Sequence, residues 1–301
     1  MKIAFFTEMN FKGKVPRTHE NMRVEFAWMS ALNADHYNIQ DIPTEHYDLG
    51  LVLTPKTTPE LVDINKLKQY CTKVGMLQEG PFWYFQDYDL NKQIQYFNNR
   101  ISSDIIYTHN ETDRKYYQGL TSHPDVRVIP SLMIEDAIGP IEQVERQGVI
   151  IGGNFVSWYG GFDSFIIAQE LDNGKVTSPS MGRKQQGEDQ LLTQLPYVTW
   201  KQWIHELNKF KYAIHLMRTH AAGTFSLNCA YLGIPCIGYK GLDTQELCHP
   251  NLTVELGDLT TARQYALALK NDNSFYDECS KTAKENYKKY FSEEQFLTLF
   301  K

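Results

Sequence analysis

Two glycine-bearing loops hold the residues whose spacing best suits chemistry. The first reads Gly152-Gly153-Asn154-Phe-Val-Ser157-Trp-Tyr-Gly160-Gly161 and follows a short apolar run. Glycines between a strand and a helix let backbone N–H groups approach an anion, and the helix N-terminus adds a favourable dipole. The same residues also suit a plain tight turn, and they do not spell the G-x-G-x-x-G fingerprint. The second loop reads Met217-Arg218-Thr-His220-Ala-Ala-Gly223-Thr224-Phe225-Ser226-Leu-Asn228. Gly223-Thr224 can open a helix and leave the N–H groups of Phe225 and Ser226 for a phosphate. Arg218 stands where a guanidinium could grip the same anion bidentately. Taken singly, Arg218 also fits a surface ion pair and His220 a satisfied interior residue. Two such loops in one half of the chain favour an anion site.

A carboxylate for acid–base work is offered by Glu79, which ends another apolar run before Gly80-Pro81 and the aromatic stretch Phe82-Trp83-Tyr84-Phe85. Partial burial beside aromatic rings raises a carboxyl pKa, which suits a general base acting on a hydroxyl. The plainer reading is a solvated or helix-capping glutamate, and Asp87 and Asp89 are nearby substitutes. His109 also follows an apolar run and is a second rim candidate, unless it caps a helix with Asn110. The aromatic stretch could stack on a sugar or a flipped base, although such runs also serve packing.

Strand-like and helix-like patterns alternate along the chain and must position these residues. In the first half, apolar runs predict strands at 2–7, 49–54, 73–77, 104–108 and 126–129. Helical spacing predicts helices at 21–32, 91–100 and 111–118, and a proline near a first turn adds 59–70. The second half predicts strands at 149–152, 175–177, 212–216 and 235–238, with a short one near Val254. Its helices are expected at 162–170, 201–210, 224–232 and from Thr260 to the end. This alternation implies an α/β fold, with parallel sheets covered on both faces. Two Rossmann-like lobes facing a cleft are expected, at 1–130 and 149–285, with 131–148 as linker and 286–301 packing back on the first lobe. Ligands of such sheets sit at the C-terminal ends of strands, which brings both loops and Glu79 to the cleft.

Composition limits the function classes. A length of 301 residues suits two domains, and 42% hydrophobic with 22% charged residues excludes a disordered or fibrous chain. No apolar run reaches the roughly 18 residues of a spanning helix, and the opening lacks the pattern of a signal peptide, so a cytoplasmic protein is expected. Five cysteines without a C-x-x-C pair read as buried thiols, and nine histidines show no metal-ligand spacing. The net charge of -6 counts against a protein that coats nucleic acid. Residues 1–150 hold 15 Lys/Arg against 20 Asp/Glu, and residues 151–301 hold 15 against 16. Within the acidic half, residues 12–23 still gather Lys12, Lys14, Arg17 and Arg23 against Glu20 alone, enough for a few phosphate contacts.

The helix of the second loop ends in Gly233-Ile-Pro235-Cys-Ile237, with a polar residue five positions before the glycine and a glycine-led start before that. This segment resembles the donor-binding segment of GT-B glycosyltransferases. The resemblance implies a nucleotide-sugar donor, UDP-linked for preference, and no essential divalent metal. It implies that Gly153 and Asn154 face the diphosphate. It also implies that Thr199 and Trp200, in Pro196-Tyr-Val-Thr199-Trp200, cup the base. Retaining members usually carry two glutamates eight residues apart, where this chain has His220 and Asn228, so the resemblance favours inversion. A narrower resemblance, to the phage DNA β-glucosyltransferases, rests on Met1-Lys-Ile-Ala4, Asn10-Phe-Lys12, Val15-Pro16, Glu20 and the place of Glu79. It implies a hydroxymethylated base in DNA as acceptor, with Lys14, His19, Glu20, Trp83 and His109 around the sugar or acceptor. A glycan, lipid or small-molecule acceptor, a nucleotide-sugar 2-epimerase and a non-catalytic sugar-binding protein remain the alternatives.

Overall fold

The computed structural model describes residues 1–78, 80–172, 174 and 176–300. Among them, two six-stranded sheets form, parallel in every pairing. The first holds β1 (Ile3–Thr7), β2 (Asp35–Asn38), β3 (Tyr47–Thr54), β4 (Cys71–Gln78), β5 (Ile105–Thr108) and β6 (Val126–Val128), in the order β2-β1-β3-β4-β5-β6. The second holds β7 (Gln147–Ile151), β8 (Val176–Ser178), β9 (Leu192–Gln194), β10 (Phe210–His215), β11 (Cys236–Tyr239) and β12 (Thr253–Val254), in the order β12-β11-β10-β7-β8-β9. Each sheet reverses direction beside its first strand, which opens a crevice at the strands' C-terminal ends. The central strands are continuous apolar runs because helices cover both faces; all five residues of β1 are buried.

The elements depart from the sequence pattern where apolar residues are few. The edge strands β2 (Asp-His-Tyr-Asn) and β9 (Leu-Thr-Gln) carry no apolar run and escape periodicity. In β2, His36 is held instead by hydrogen bonds to Thr7 Oγ1 (2.8 Å) and the Phe11 carbonyl (2.7 Å). The helix expected at 59–70 is a 3-10 turn, Pro59–Leu61, and a short helix, Ile64–Leu67, because Asp63 caps a new start. The helix expected from 21 begins at Val24. From Thr260 onward the chain forms not one helix but parts of three, Leu259–Asn271, Asn273–Phe291 and Glu293–Thr298. Asp272 and Ser292 break it by accepting from the next helices' backbone. Helix Asp243–Cys248 was not anticipated, and β7 begins at Gln147, inside the expected linker.

One hydrophobic cluster runs through both lobes, joining Phe5, Trp28 and Leu51 to Ile134 and Ile138, and on to Trp200, Leu227, Tyr287 and Phe296. The last helix lies against the first lobe: Phe296 is buried, Phe300 stacks on Tyr107 (6.2 Å), and Arg17 pairs with both Glu293 and Asp136. All five cysteines are buried and free. No helix among the described residues is long and apolar enough to cross a membrane.

Burial should outweigh charge at this junction. Phe296→Ala should cost about 3 kcal/mol or more, from lost apolar contact plus a cavity. Arg17→Ala, at a half-exposed ion pair, should cost under about 1 kcal/mol. Urea denaturation of both variants checks the ranking.

Candidate functional site

The C-terminal ends of the two sheets meet across a cleft of about 430 Å³, within the size of a small-ligand site. Met22, Arg23, Val24 and Leu132 line it from the first lobe. The second lobe supplies Gly152, Tyr159, Met181, Leu195, Tyr197, Trp200, Trp203, Thr224, Phe225 and Asn228. One wall is thus aromatic and apolar, while the floor carries backbone and a few polar side chains.

Two helices open on this cleft without a side-chain cap. Val24–Ala31 follows Arg23, and Thr224–Leu232 follows Gly223. Side chains cap the helices that follow Asp63, Asp89, Asn110, Thr199, Asp258, Asp272 and Ser292, whereas those following Ile134, Gly160 and Leu242 are uncapped as well. At Arg23 the Phe26 N–H is already bonded to the Arg23 carbonyl (2.8 Å). At Gly223 no side chain takes the first N–H groups of helix Thr224–Leu232, which together with the positive dipole end suit an anion. Gly223 is required there: its φ is +67°, and a Cβ would collide with the Thr244 hydroxyl. Gly152 allows the first loop to lie on the ring of His215, and a Cβ on Gly153 would strike Tyr159.

The expected binding residues divide into those that reach the cleft and those that do not. Thr224, Phe225 and Trp200 line it, and so does Asn228, only 4% exposed, whose amide makes no hydrogen bond to the described residues. Thr199 acts one position back, capping helix Trp200–Leu207 in a capping box with Gln202. Asn154 is turned inward: its amide donates to the Arg183 carbonyl and to Glu188 (3.0 Å) and fixes the loop rather than facing a diphosphate. Ser226 is wholly buried, and its hydroxyl bonds Thr244 and Gly223. Arg218 points away, with 64% of its side chain exposed and a bond to Asp163 (3.0 Å), which also accepts from Tyr239. His220 sits under Gly241 in an outer groove with Lys240, Asp243 and Glu246, where burial lowers its pKa.

In the first lobe, Glu79 lies outside the described residues. Its neighbours are held tightly. The Gln78 amide accepts from the hydroxyls of Tyr96 and Tyr117 and donates to the carbonyls of Gly80 and Pro81. His109 donates Nε2–H to the Gln78 carbonyl (3.0 Å) and stacks on Trp28, and burial pushes its pKa down to about 4. It is therefore a neutral anchor at the end of β4. Trp83 and Tyr84 meet Trp158 edge-on (5.9 and 5.5 Å), so the loop after β4 touches the loop after β7. His19 stacks on Phe26, Glu20 is exposed and contributes its carbonyl, and Lys14 is exposed; none of the three lines the cleft.

Sequence reasoning passed over His215, the last residue of β10. Its ring lies 5.1 Å from Phe225, its Nδ1 has no partner, and burial pushes its pKa to about 4. The available signal was a polar residue ending an apolar strand. Arg100 was also missed: it is fully buried over the rings of Tyr96 and Tyr117 (4.6 and 5.1 Å). Among the described residues no cluster of His, Cys, Asp and Glu could hold a metal ion.

The loop leading to Gly223 is placed by the first lobe. Asn110 donates to the Ala221 carbonyl (3.2 Å), Ser131 to that of Ala222 (2.7 Å), and Thr112 to that of Gly241 (3.2 Å). In return Asp243 accepts from the N–H of Glu111 (3.1 Å) at the start of helix Glu111–Thr121. Behind it Asp113 is buried with Oδ1 unpartnered. Burial, with the charge of Asp243, pushes its pKa up to about 7, and burial pushes Asp243 to about 6.

No family model matches the sequence, and no curated protein matches it. The structure is similar to that of sucrose-phosphate synthase from Thermosynechococcus elongatus, at 11% identity and a TM-score of 0.70, over 99% of this chain and 86% of that one. HepE of Anabaena, solved with UDP and glucose, gives 9% identity and a TM-score of 0.67, over 100% of this chain and 98% of that one. TarM of S. aureus, solved with UDP, gives 11% and 0.65, over 83% of this chain; the chain spans about half (54%) of TarM's length. The fold is GT-B.

The carboxylate pair predicts a pH effect on stability. From about pH 4 to 7 the folded protein holds protons that unfolded carboxyls have released, so this contribution falls as pH rises. Buried neutral histidines act oppositely, so the diagnostic is the difference between variant and parent. Asp113→Asn should gain melting temperature over the parent more at pH 8 than at pH 5.

Proposed function

We propose that this chain is a glycosyltransferase that moves a sugar from a UDP-linked donor to an acceptor hydroxyl. The observation that carries this reading is the uncapped helix N-terminus at Gly223, opening on a cleft between the lobes that has an aromatic wall. Such a site offers donors to a diphosphate and flat apolar surface to a base. The UDP held by HepE and TarM, proteins of the same fold, supports the choice of nucleotide. In this reading the diphosphate lies over the N–H groups of Phe225 and Ser226. The base lies against Tyr197 and Trp200, and the Asn228 amide meets ribose or sugar hydroxyls.

The reaction then needs a base on the opposite lobe, and Glu79, following β4, is the residue assigned. Its carboxylate takes the acceptor hydroxyl proton as that oxygen bonds to the anomeric carbon. The bond from that carbon to the diphosphate oxygen breaks on the far side, inverting the anomer. Charge developing on the leaving diphosphate is met by the helix N–H groups, so the reading requires no divalent cation.

A sugar, glycan or small-molecule hydroxyl is favoured over a DNA base as acceptor. The first 150 residues hold 15 Lys/Arg against 20 Asp/Glu. Within the basic loop Arg17 is tied to Asp136 and Glu293, and Lys12 lies over Tyr37.

Mass spectrometry of UDP-sugars with an acceptor panel, including DNA with and without hydroxymethylated pyrimidines, tests the reading. Transfer to a hydroxyl acceptor is expected; epimer formation without acceptor would instead make this an epimerase, and sugar binding without turnover a binding protein. Glu79→Gln should lower turnover by about 100-fold or more while UDP still binds. Unchanged turnover would remove Glu79 as the base.

A further inference from the structure

We infer that the cation receiving the donor's diphosphate is Arg23, delivered by the first lobe, and not Arg218 of the second. This rests on the donor reading above. Among the described residues that line the cleft, Arg23 is the one charged side chain. Helix N-termini supply only about half a charge each, whereas a nucleoside diphosphate brings at least two negative charges. Arg218 is held on the outside by Asp163, and moving it inward would break that ion pair.

The backbone around Arg23 is fixed while its side chain is not. Glu20 accepts from the Lys201 N–H and the Asn21 side chain from the Trp200 N–H, both at 3.0 Å. The Arg23 carbonyl accepts from Phe26 (2.8 Å) and Ala27 (3.2 Å). The guanidinium makes no hydrogen bond to the described residues and rests 5.2 Å from the ring centroid of Tyr197, itself 70% exposed. A cation over an exposed ring is weakly held. A guanidinium paired bidentately with phosphate is held more strongly. A phosphate in the cleft therefore draws Arg23 from Tyr197, and the ring is freed for the base. Because Arg23 belongs to one lobe and Gly223–Ser226 to the other, a diphosphate ties the lobes together and a nucleoside alone does not.

Calorimetric titration of UDP and uridine into the parent, Arg23→Ala, Arg23→Lys and Arg218→Ala tests this. Arg23→Ala should weaken UDP roughly tenfold or more and leave uridine within about twofold, with Arg23→Lys between it and the parent. Arg218→Ala should leave UDP within about twofold. UDP binding unchanged in Arg23→Ala, equal losses of UDP and uridine, or the large loss appearing in Arg218→Ala instead would each overturn the assignment of Arg23 and leave the donor reading standing. A parent that binds neither UDP nor uridine would overturn the donor reading itself, and Arg23 with it.

Discussion

Every strand of both sheets runs parallel to its neighbours, so every connection must carry the chain back to the same end before the next strand begins. The loops leaving the strands, and the helix N-termini they feed, therefore gather on one side of each sheet. When two such sides face each other, backbone donors from both lobes converge on one space. Whether those donors are available depends on the residues just before each helix. At Arg23 and Gly223, which both border the cleft, the chain places residues that do not cap, whereas Asp63, Asp89, Asn110 and Thr199 each cap the helix that follows them. In the proposed function the backbone donors after Gly223 and the Arg23 side chain meet the diphosphate together.

The cleft is a property of the two lobes together. A single apolar cluster crosses between them, and the first lobe holds the carbonyls of Ala221 and Ala222 just before Gly223. The second lobe returns the contact through Asp243 on Glu111 and through the backbone of Trp200 and Lys201 on Asn21 and Glu20. These bonds set where the two helix starts lie relative to each other. They also bury carboxylates at Asp113 and Asp243, a cost accepted at the interface between the lobes.

How much of this was legible in the sequence depended on whether a feature is periodic or directional. The central strands β1, β3, β4, β5, β7, β10 and β11 are apolar runs, and the alternation with helices exposed the α/β class. The edge strands β2 and β9 were not legible because partly covered strands need few apolar residues. The glycine loops and the segment before Lys201 pointed to the cleft, and Thr224, Phe225, Trp200 and Asn228 do line it. Spacing does not state which way a side chain leaves a loop, however. Arg218 found Asp163, Asn154 found Glu188, and Ser226 found Thr244, each satisfying a local partner ahead of the cleft. Arg23 stood out only as part of a basic loop, since its placement depends on contacts with residues some 180 positions away.

Hydrogen–deuterium exchange with and without saturating UDP tests the central claim most directly. The account predicts slowed exchange at the N–H groups of Phe225 and Ser226 and at the start of helix Val24–Ala31, one segment from each lobe. Slowed exchange confined to other segments, or none at either helix start while UDP is bound, would contradict it.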